Sequence, residues 1–350
     1  MLSILLFPFA FLFGVVTRVR NFLYNIGWKK SYSFQPAVIC VGNLNVGGSG
    51  KTPMIEYLVN LLKEKYSLAI LSRGYGRVTR GFLLAEMHDD ASTIGDEPFQ
   101  YYRKYGNQLP IVVCESRVEG ITKLMKKRPN VQVILLDDAF QHRAVKPLFS
   151  VLLTDFSKPF FKDHLLPQGR LRESRSGSSR ADALVVTKCF DISGEVESRF
   201  KLDIQSYAGS KPVFFSGVKY NAPKAVEGEK QLGKDVVLVT GIANSKPIVD
   251  YVSSHFNLVQ HFQFKDHYQY SLGDIKVIQQ RANATASILT TEKDLVKLIA
   301  PNLNGVMNKK LWFYLPIETV FLNRGSEFDK LITMKIEAHL KSSLPIQNQK

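Results

Sequence analysis

The chain has 350 residues, 45% hydrophobic and 22% charged, and its three cysteines show neither pairing nor metal-ligand spacing. These values describe an ordinary globular protein of a reducing compartment, long enough for two domains. A net charge of +15 leaves three classes of partner: nucleic acid, an anionic membrane surface or an acidic substrate. No RNA-binding signature, zinc-finger spacing or long basic tail is present, so nucleic acid is set aside.

Leu2 to Val16 is almost wholly apolar, and Arg18, Arg20, Trp28, Lys29 and Lys30 follow it. Fifteen helical residues reach about 22 Å, short of the ~30 Å hydrocarbon core. A secretory signal would carry its positive charge before the apolar run, not after it. The pattern predicts a helix lying in the membrane interface, with its cations on anionic headgroups.

The apolar run Ala37–Val41 reads as a strand, and Pro53–Lys63 as a helix. Between them stands the loop Gly42 to Thr52, which ends Gly47-Gly48-Ser49-Gly50-Lys51-Thr52. Strand, glycine-rich loop and helix form a phosphate cradle, with Lys51 for the β- and γ-phosphates and the Thr52 hydroxyl for magnesium. Asn45 stands where a small residue is usual. Asn tolerates left-handed backbone angles, so the departure is mild.

Further strands are predicted at Leu68–Leu71, Ile111–Cys114, Val131–Leu136, Ser150–Leu153 and Ala183–Thr187, with a helix at Arg117–Lys127. This alternation predicts an α/β fold of P-loop NTPase type, a mostly parallel sheet flanked by helices. Its chemistry belongs at the carboxyl ends of the strands. Arg73, Tyr75 and Arg77 follow one strand, Arg117 follows another, and Gln141, His142 and Arg143 follow a third. Val133–Leu136 ends in Asp137-Asp138, a carboxylate pair suited to magnesium beside a P-loop. Asp96, in Gly95-Asp96-Glu97-Pro98, is either a helix cap or a base for a hydroxyl proton. Arg170, Arg172 and Glu173 close the segment Leu165–Glu173.

A second α/β stretch starts near residue 231, after a polar segment in which Pro212-Val-Phe-Phe reads as an isolated strand. The predicted organisation is an N-terminal helix (1–30), a P-loop domain (31–192), a linker (193–230) and a smaller α/β domain (231–350). In the last of these, His267 follows Asp266 at a strand end.

Eight ordered blocks together resemble the tetraacyldisaccharide 4′-kinase (lipid A 4′-kinase) family. They are Gly47–Pro53, Ser72–Gly76, Gly95–Pro98, Leu136–Arg143, Leu165–Glu173, Thr240–Asn244, Phe264–His267 and Thr291–Asp294. The resemblance implies transfer of the ATP γ-phosphate to the 4′-hydroxyl of an acylated glucosamine disaccharide 1-phosphate. It implies ATP and Mg2+ as cofactors, a membrane lipid as substrate, and the cytoplasmic face of a Gram-negative inner membrane as location. No obligate protein partner is expected. Asn45, Val46, Gly47, Gly48, Ser49, Gly50, Lys51 and Thr52 would bind the nucleotide, and Thr52, Asp137 and Glu173 the metal. Asp96, His267 and Asp138 would be catalytic, and the second domain would close over the nucleotide. Arg73, Tyr75, Arg77, Arg117, Arg143 and Arg172 would meet substrate or phosphate.

Two other readings compete. A GTP-driven switch would use Thr187-Lys188-Cys189-Phe190-Asp191 to read guanine, but its Asp is one residue late. A soluble kinase of a small metabolite would bury the N-terminal helix in its core.

Overall fold

The computed structural model describes residues 2–266, 268–282, 286–303 and 305–343. Helix α1 (Leu2–Asn25) is 24 residues long, about 36 Å. It continues through both arginines, so it is longer than the apolar run alone predicts. Residues Leu6–Asn25 are long and apolar enough, by length and composition, to cross a membrane. One side of α1 docks through Ala10, Gly14, Thr17 and Asn21, spaced as one helical face, while Phe7, Phe9, Phe11, Leu12, Val16, Val19 and Phe22 are exposed. It is therefore not a core helix. A Cβ on Gly14 would lie 2.8 Å from Leu165 Cδ1, so glycine sets how closely the helix approaches.

The chain then runs β1 (Ala37–Asn43), α2 (Lys51–Leu62), β2 (Leu68–Ser72), β3 (Leu83–Leu84), α3 (Ala91–Ile94), α4 (Asp96–Tyr105), β4 (Ile111–Val113) and α5 (Arg117–Lys127). It continues through β5 (Val133–Asp137), β6 (Phe149–Asp155), β7 (Ala183–Thr187), α6 (Gly194–Ala208) and β8 (Val213–Tyr220). The central strands are continuous β-branched and leucine runs because both faces are covered. A smaller unit follows: β9 (Lys224–Ala225), β10 (Asp235–Thr240), α7 (Lys246–His255), β11 (Asn257–Gln263), α8 (Leu272–Ala282), β12 (Ser287–Thr291), α9 (Glu292–Leu298) and β13 (Trp312–Leu315). The described chain ends with β14 (Ile317–Phe321) and α10 (Gly325–Ser343).

The larger sheet has the order β14-β8-β7-β6-β1-β5-β2-β4-β3, and the smaller β11-β10-β12-β13-β9. In the larger sheet only β3 and β14, at its two edges, run antiparallel. The order reverses at β1, which lies between β5 and β6. That reversal opens a crevice at its carboxyl end.

The domain boundaries differ from those expected. The segment expected as a linker supplies α6 and β8, and β8 pairs with β7 in the main sheet. The second domain covers β9 to β13, and the chain then returns: β14 pairs with β8, and Phe328, Ile332 and Ile336 of α10 enter the core around β1. Those residues lie four apart, so one face of α10 covers the sheet.

Candidate active site

β1 is buried along its length and delivers the chain into the P-loop. Gly47 and Gly50 have φ of 109° and 83°, angles that cost a side chain energy. Asn45 does not share them. Its amide donates to Asp163 Oδ2 at 2.6 Å, and the Val46 amide donates to the Arg170 carbonyl at 2.8 Å. Asn45 is present for its side-chain donor, not for backbone tolerance. From the other side, Thr187 Oγ1 donates to the Ser49 carbonyl at 2.9 Å and the Lys188 ammonium donates to the Gly48 carbonyl. Lys188 is itself held 2.8 Å from Asp155. The segment weighed as a guanine reader thus buttresses the P-loop. The first amides of α2 have no intrahelical partner, and the positive end of the helix favours an anion there.

The Asp137-Asp138 pair ends β5 beside this loop. Lys51 Nζ lies 3.9 Å from Asp138 Oδ2. Asp138 sits at φ 47° and is gripped at two points by Arg172, at 2.7 and 3.0 Å. Burial opposes its ionisation, but Lys51 and Arg172 outweigh burial and hold its carboxyl below the usual range. Asp137 differs. It is fully buried, one oxygen lies 3.4 Å from Ser72 Oγ and the other has no partner. Burial, with Glu97 and Asp138 nearby, pushes its carboxyl up to about 8 against Lys51 and Arg117. A buried carboxylate with an unsatisfied oxygen beside the P-loop fits a cation there. Glu97 was not singled out from the sequence, although its place beside Asp96 was the available signal.

Asp96 opens α4 after Gly95, whose φ is 95°. A Cβ on Gly95 would lie 3.0–3.1 Å from the backbone of Gly74 and Tyr75, so α4 starts against the loop that carries Arg73 and Tyr75. Both of those side chains are exposed. His267 lies outside the described residues.

Several other candidates have structural roles. Arg77 pairs with Glu115 at 2.6 Å and donates to the Gly81 carbonyl. Arg117 is buried and donates to the carbonyls of Asp137 and Asp138 at 3.2 and 3.3 Å, which fixes the turn after β5. Arg143 caps the end of α1, donating to the Asn21 carbonyl and Asn25 Oδ1. Arg172 joins Asp138 to the Asn43 carbonyl. Glu173, expected at the metal, accepts from Asn21 of α1 at 2.8 Å, Gln141 at 3.0 Å and Arg180 at 2.8 Å. Its oxygens face donors, so it pins α1 to the loops around the P-loop. His142 is held neutral, its imidazole lowered to about 4 by burial and by Arg117, Arg20 and Arg73.

A glycine-rich loop at a sheet's switch point, a lysine above an acidic pair and a helix opening on the loop define a P-loop phosphotransferase. The profile of the family described as tetraacyldisaccharide-1-P 4′-kinase (LpxK) matches residues 2–337. The chain is 43% identical to the tetraacyldisaccharide 4′-kinase of Cytophaga hutchinsonii over 91% of each chain. It is 42% identical to that of Flavobacterium johnsoniae over 96% of this chain and 98% of the relative. Its fold matches the crystal structure of LpxK from Aquifex aeolicus in complex with ATP, with a TM-score of 0.76 at 29% identity. That match covers 96% of this chain and all of the other. The chain belongs to the tetraacyldisaccharide-1-P 4′-kinase family.

Proposed function

We propose that this chain transfers the γ-phosphoryl group of ATP to the 4′-hydroxyl of a tetraacylated glucosamine disaccharide 1-phosphate, in lipid A biosynthesis. The observation that carries the reading is the union of two features. A P-loop site with Lys51 beside the Asp137-Asp138 pair is hydrogen-bonded, through Gln141 and Glu173, to a helix that exposes an apolar face. Such a helix attaches the enzyme to the bilayer that holds its substrate. ATP places the reaction on the cytoplasmic face of the inner membrane.

The P-loop amides and Lys51 hold the triphosphate. Thr52 and Asp137 would hold magnesium, which when bound offsets the charge of the phosphates. The 4′-oxygen attacks the γ-phosphorus as the bond to the β,γ-bridging oxygen breaks, giving ADP and the 4′-phosphate ester. Asp96 accepts the hydroxyl proton, with His267 assigned as its partner. Arg172 fixes Asp138 under Lys51, and Arg73 and Tyr75, exposed on the loop against the start of α4, would meet the acceptor.

The test is incubation of the purified protein in detergent with labelled ATP and the disaccharide 1-phosphate. A doubly phosphorylated lipid is expected. Turnover only on a soluble sugar, or none, would overturn the proposal. An Asp96→Ala variant with full single-turnover rate would remove Asp96 as the base.

A further inference from the structure

The catalytic helix and the second domain meet at one buried charge cluster. Lys104, in the last turn of α4, lies 2.8 Å from Glu56 Oε2 on α2 and 2.7 Å from Glu292 Oε1 at the start of α9. Both carboxylates are buried, at 5% and 8% exposure. Gln100, one turn before Lys104, donates to the other oxygen of Glu56 at 3.0 Å. The second oxygen of Glu292 accepts from the Ile317 amide at 3.4 Å, where the chain returns to the main sheet. One ammonium therefore joins the P-loop helix α2, the helix α4 and the second domain.

The first turn of α9 extends this link. Lys293, next to Glu292, lies 2.7 Å from Asp266 on the loop after β11. Asp294 accepts from the Gly241 amide at 2.9 Å, on the loop after β10. The same turn thus grips α4 and both loops at the carboxyl ends of the second sheet. At the opposite end of α4, eight residues or about 12 Å from Lys104, stands Asp96. A hydrogen-bonded helix transmits the position of one end to the other.

We propose that Lys104 is a positioning residue. Its bridge between Glu56 and Glu292 holds the second domain, and with it the Asp266 loop, in register with Asp96 and the P-loop. A buried carboxylate without its cation repels the interface and draws in water, so loss of Lys104 would let the two halves drift apart. The ATP cradle is built within the first domain alone and would stay intact. The inference rests on the kinase reading.

The test compares Lys104→Met, Lys104→Arg, Glu292→Gln and the Lys104→Met/Glu292→Gln double variant by kcat, KM for ATP, and direct ATP binding. Lys104→Met should lower kcat by about tenfold or more, with ATP KM and affinity within about threefold of wild type. Lys104→Arg should restore most of the rate, since arginine also reaches two carboxylates. The double variant should be no slower than Lys104→Met, because both changes break the same link. A wild-type kcat in Lys104→Met would overturn the proposal. So would additive losses in the double variant, or a fall in ATP affinity that matches the fall in rate. Asp96→Ala is measured in parallel: a full rate there, with Lys104→Met slow, would reject the base assignment and not the interdomain link.

Discussion

Glu173→Gln separates two roles for one carboxylate, metal ligand or pin for α1. Glu173 is 3% exposed and pairs with Arg180 at 2.8 Å while accepting from Asn21 and Gln141. Glutamine keeps the shape, removes the charge, and turns an N–H toward one of three donors. Removing one partner of a buried pair costs about 3–5 kcal/mol. The retained amide oxygen holds the loss to about 3 kcal/mol, equivalent to a fall of about 4 °C in Tm for a chain of this size. Thermal unfolding measures that loss, and limited trypsin digestion reports release of α1 at Arg18 and Arg20. Magnesium titration of the kinase rate supplies the contrast, because a pin leaves the half-saturating concentration unchanged. An unchanged Tm with a tenfold higher magnesium requirement would refute the reasoning and return Glu173 to the metal.

Gly14→Leu should push α1 away from Leu165, since even a Cβ would stand 2.8 Å from Cδ1. The expected result is a higher KM for lipid with unchanged ATP binding. Gly50→Ala places alanine at φ 83°, while its Cβ would meet Thr187 only at ordinary contact, 3.5 Å. The cost is therefore backbone strain of about 1–2 kcal/mol, read as a roughly tenfold loss of ATP affinity. Glu56→Gln should flatten the pH dependence of stability. Burial, helped by Glu292 and opposed by Lys104, raises the Glu56 carboxyl from 4.5 to about 7. The folded state then keeps a proton that the unfolded chain has lost. Stability from this group falls as pH rises from about 4.5 to about 7 and is level beyond. At about 1.4 kcal/mol per unit this sets an upper bound of roughly 3–4 kcal/mol. Urea midpoints at pH 5 and pH 8 should differ less in the variant than in wild type, and an equal difference in both would count against the assignment.

Local signals carried much of the fold into view. Arg117–Lys127 is helical over its predicted span, and the strand before the P-loop lies where its apolar run placed it. The return of the chain was not visible. Ile317–Phe321 is an edge strand with alternating exposure, and its pairing with β8 joins residues about a hundred positions apart. Val213 to Phe215 looked isolated because a polar stretch, which folds as α6, separates it from β7, and its other neighbour, β14, lies about a hundred positions further on. At the site, carboxylates at strand ends were legible because sheet topology dictates where strand ends converge. The arginines were not. A guanidinium clamped on carbonyls, as in Arg117, and one facing solvent, as in Arg73, both follow a serine just after a strand. Only tertiary contacts distinguish them. The contacts of Glu173 were hidden for the same reason, since its three donors come from α1, the loop after β5 and the segment before β7.

The position of those donors links the exposed apolar helix α1 to the P-loop site. Gln141 donates both to Glu173 and to the Asn43 carbonyl, and that same carbonyl accepts from Arg172, which grips Asp138 beneath Lys51. From Asn21 on α1 to Lys51 the path is an unbroken series of polar contacts through Glu173, Gln141, Asn43, Arg172 and Asp138. Arg20 and Arg143 add two further ties between α1 and the loop after β5. An anchor meant only to concentrate the enzyme at a surface would need none of these contacts; a flexible tether would serve. A rigid connection instead sets the height and tilt of the P-loop relative to whatever holds the apolar face of α1. A lipid fixed by its acyl chains presents its 4′-hydroxyl at a defined depth. The relay from Asn21 to Lys51 ties the donor site to the helix that exposes the apolar face, so a bilayer holding that face would also fix the donor site.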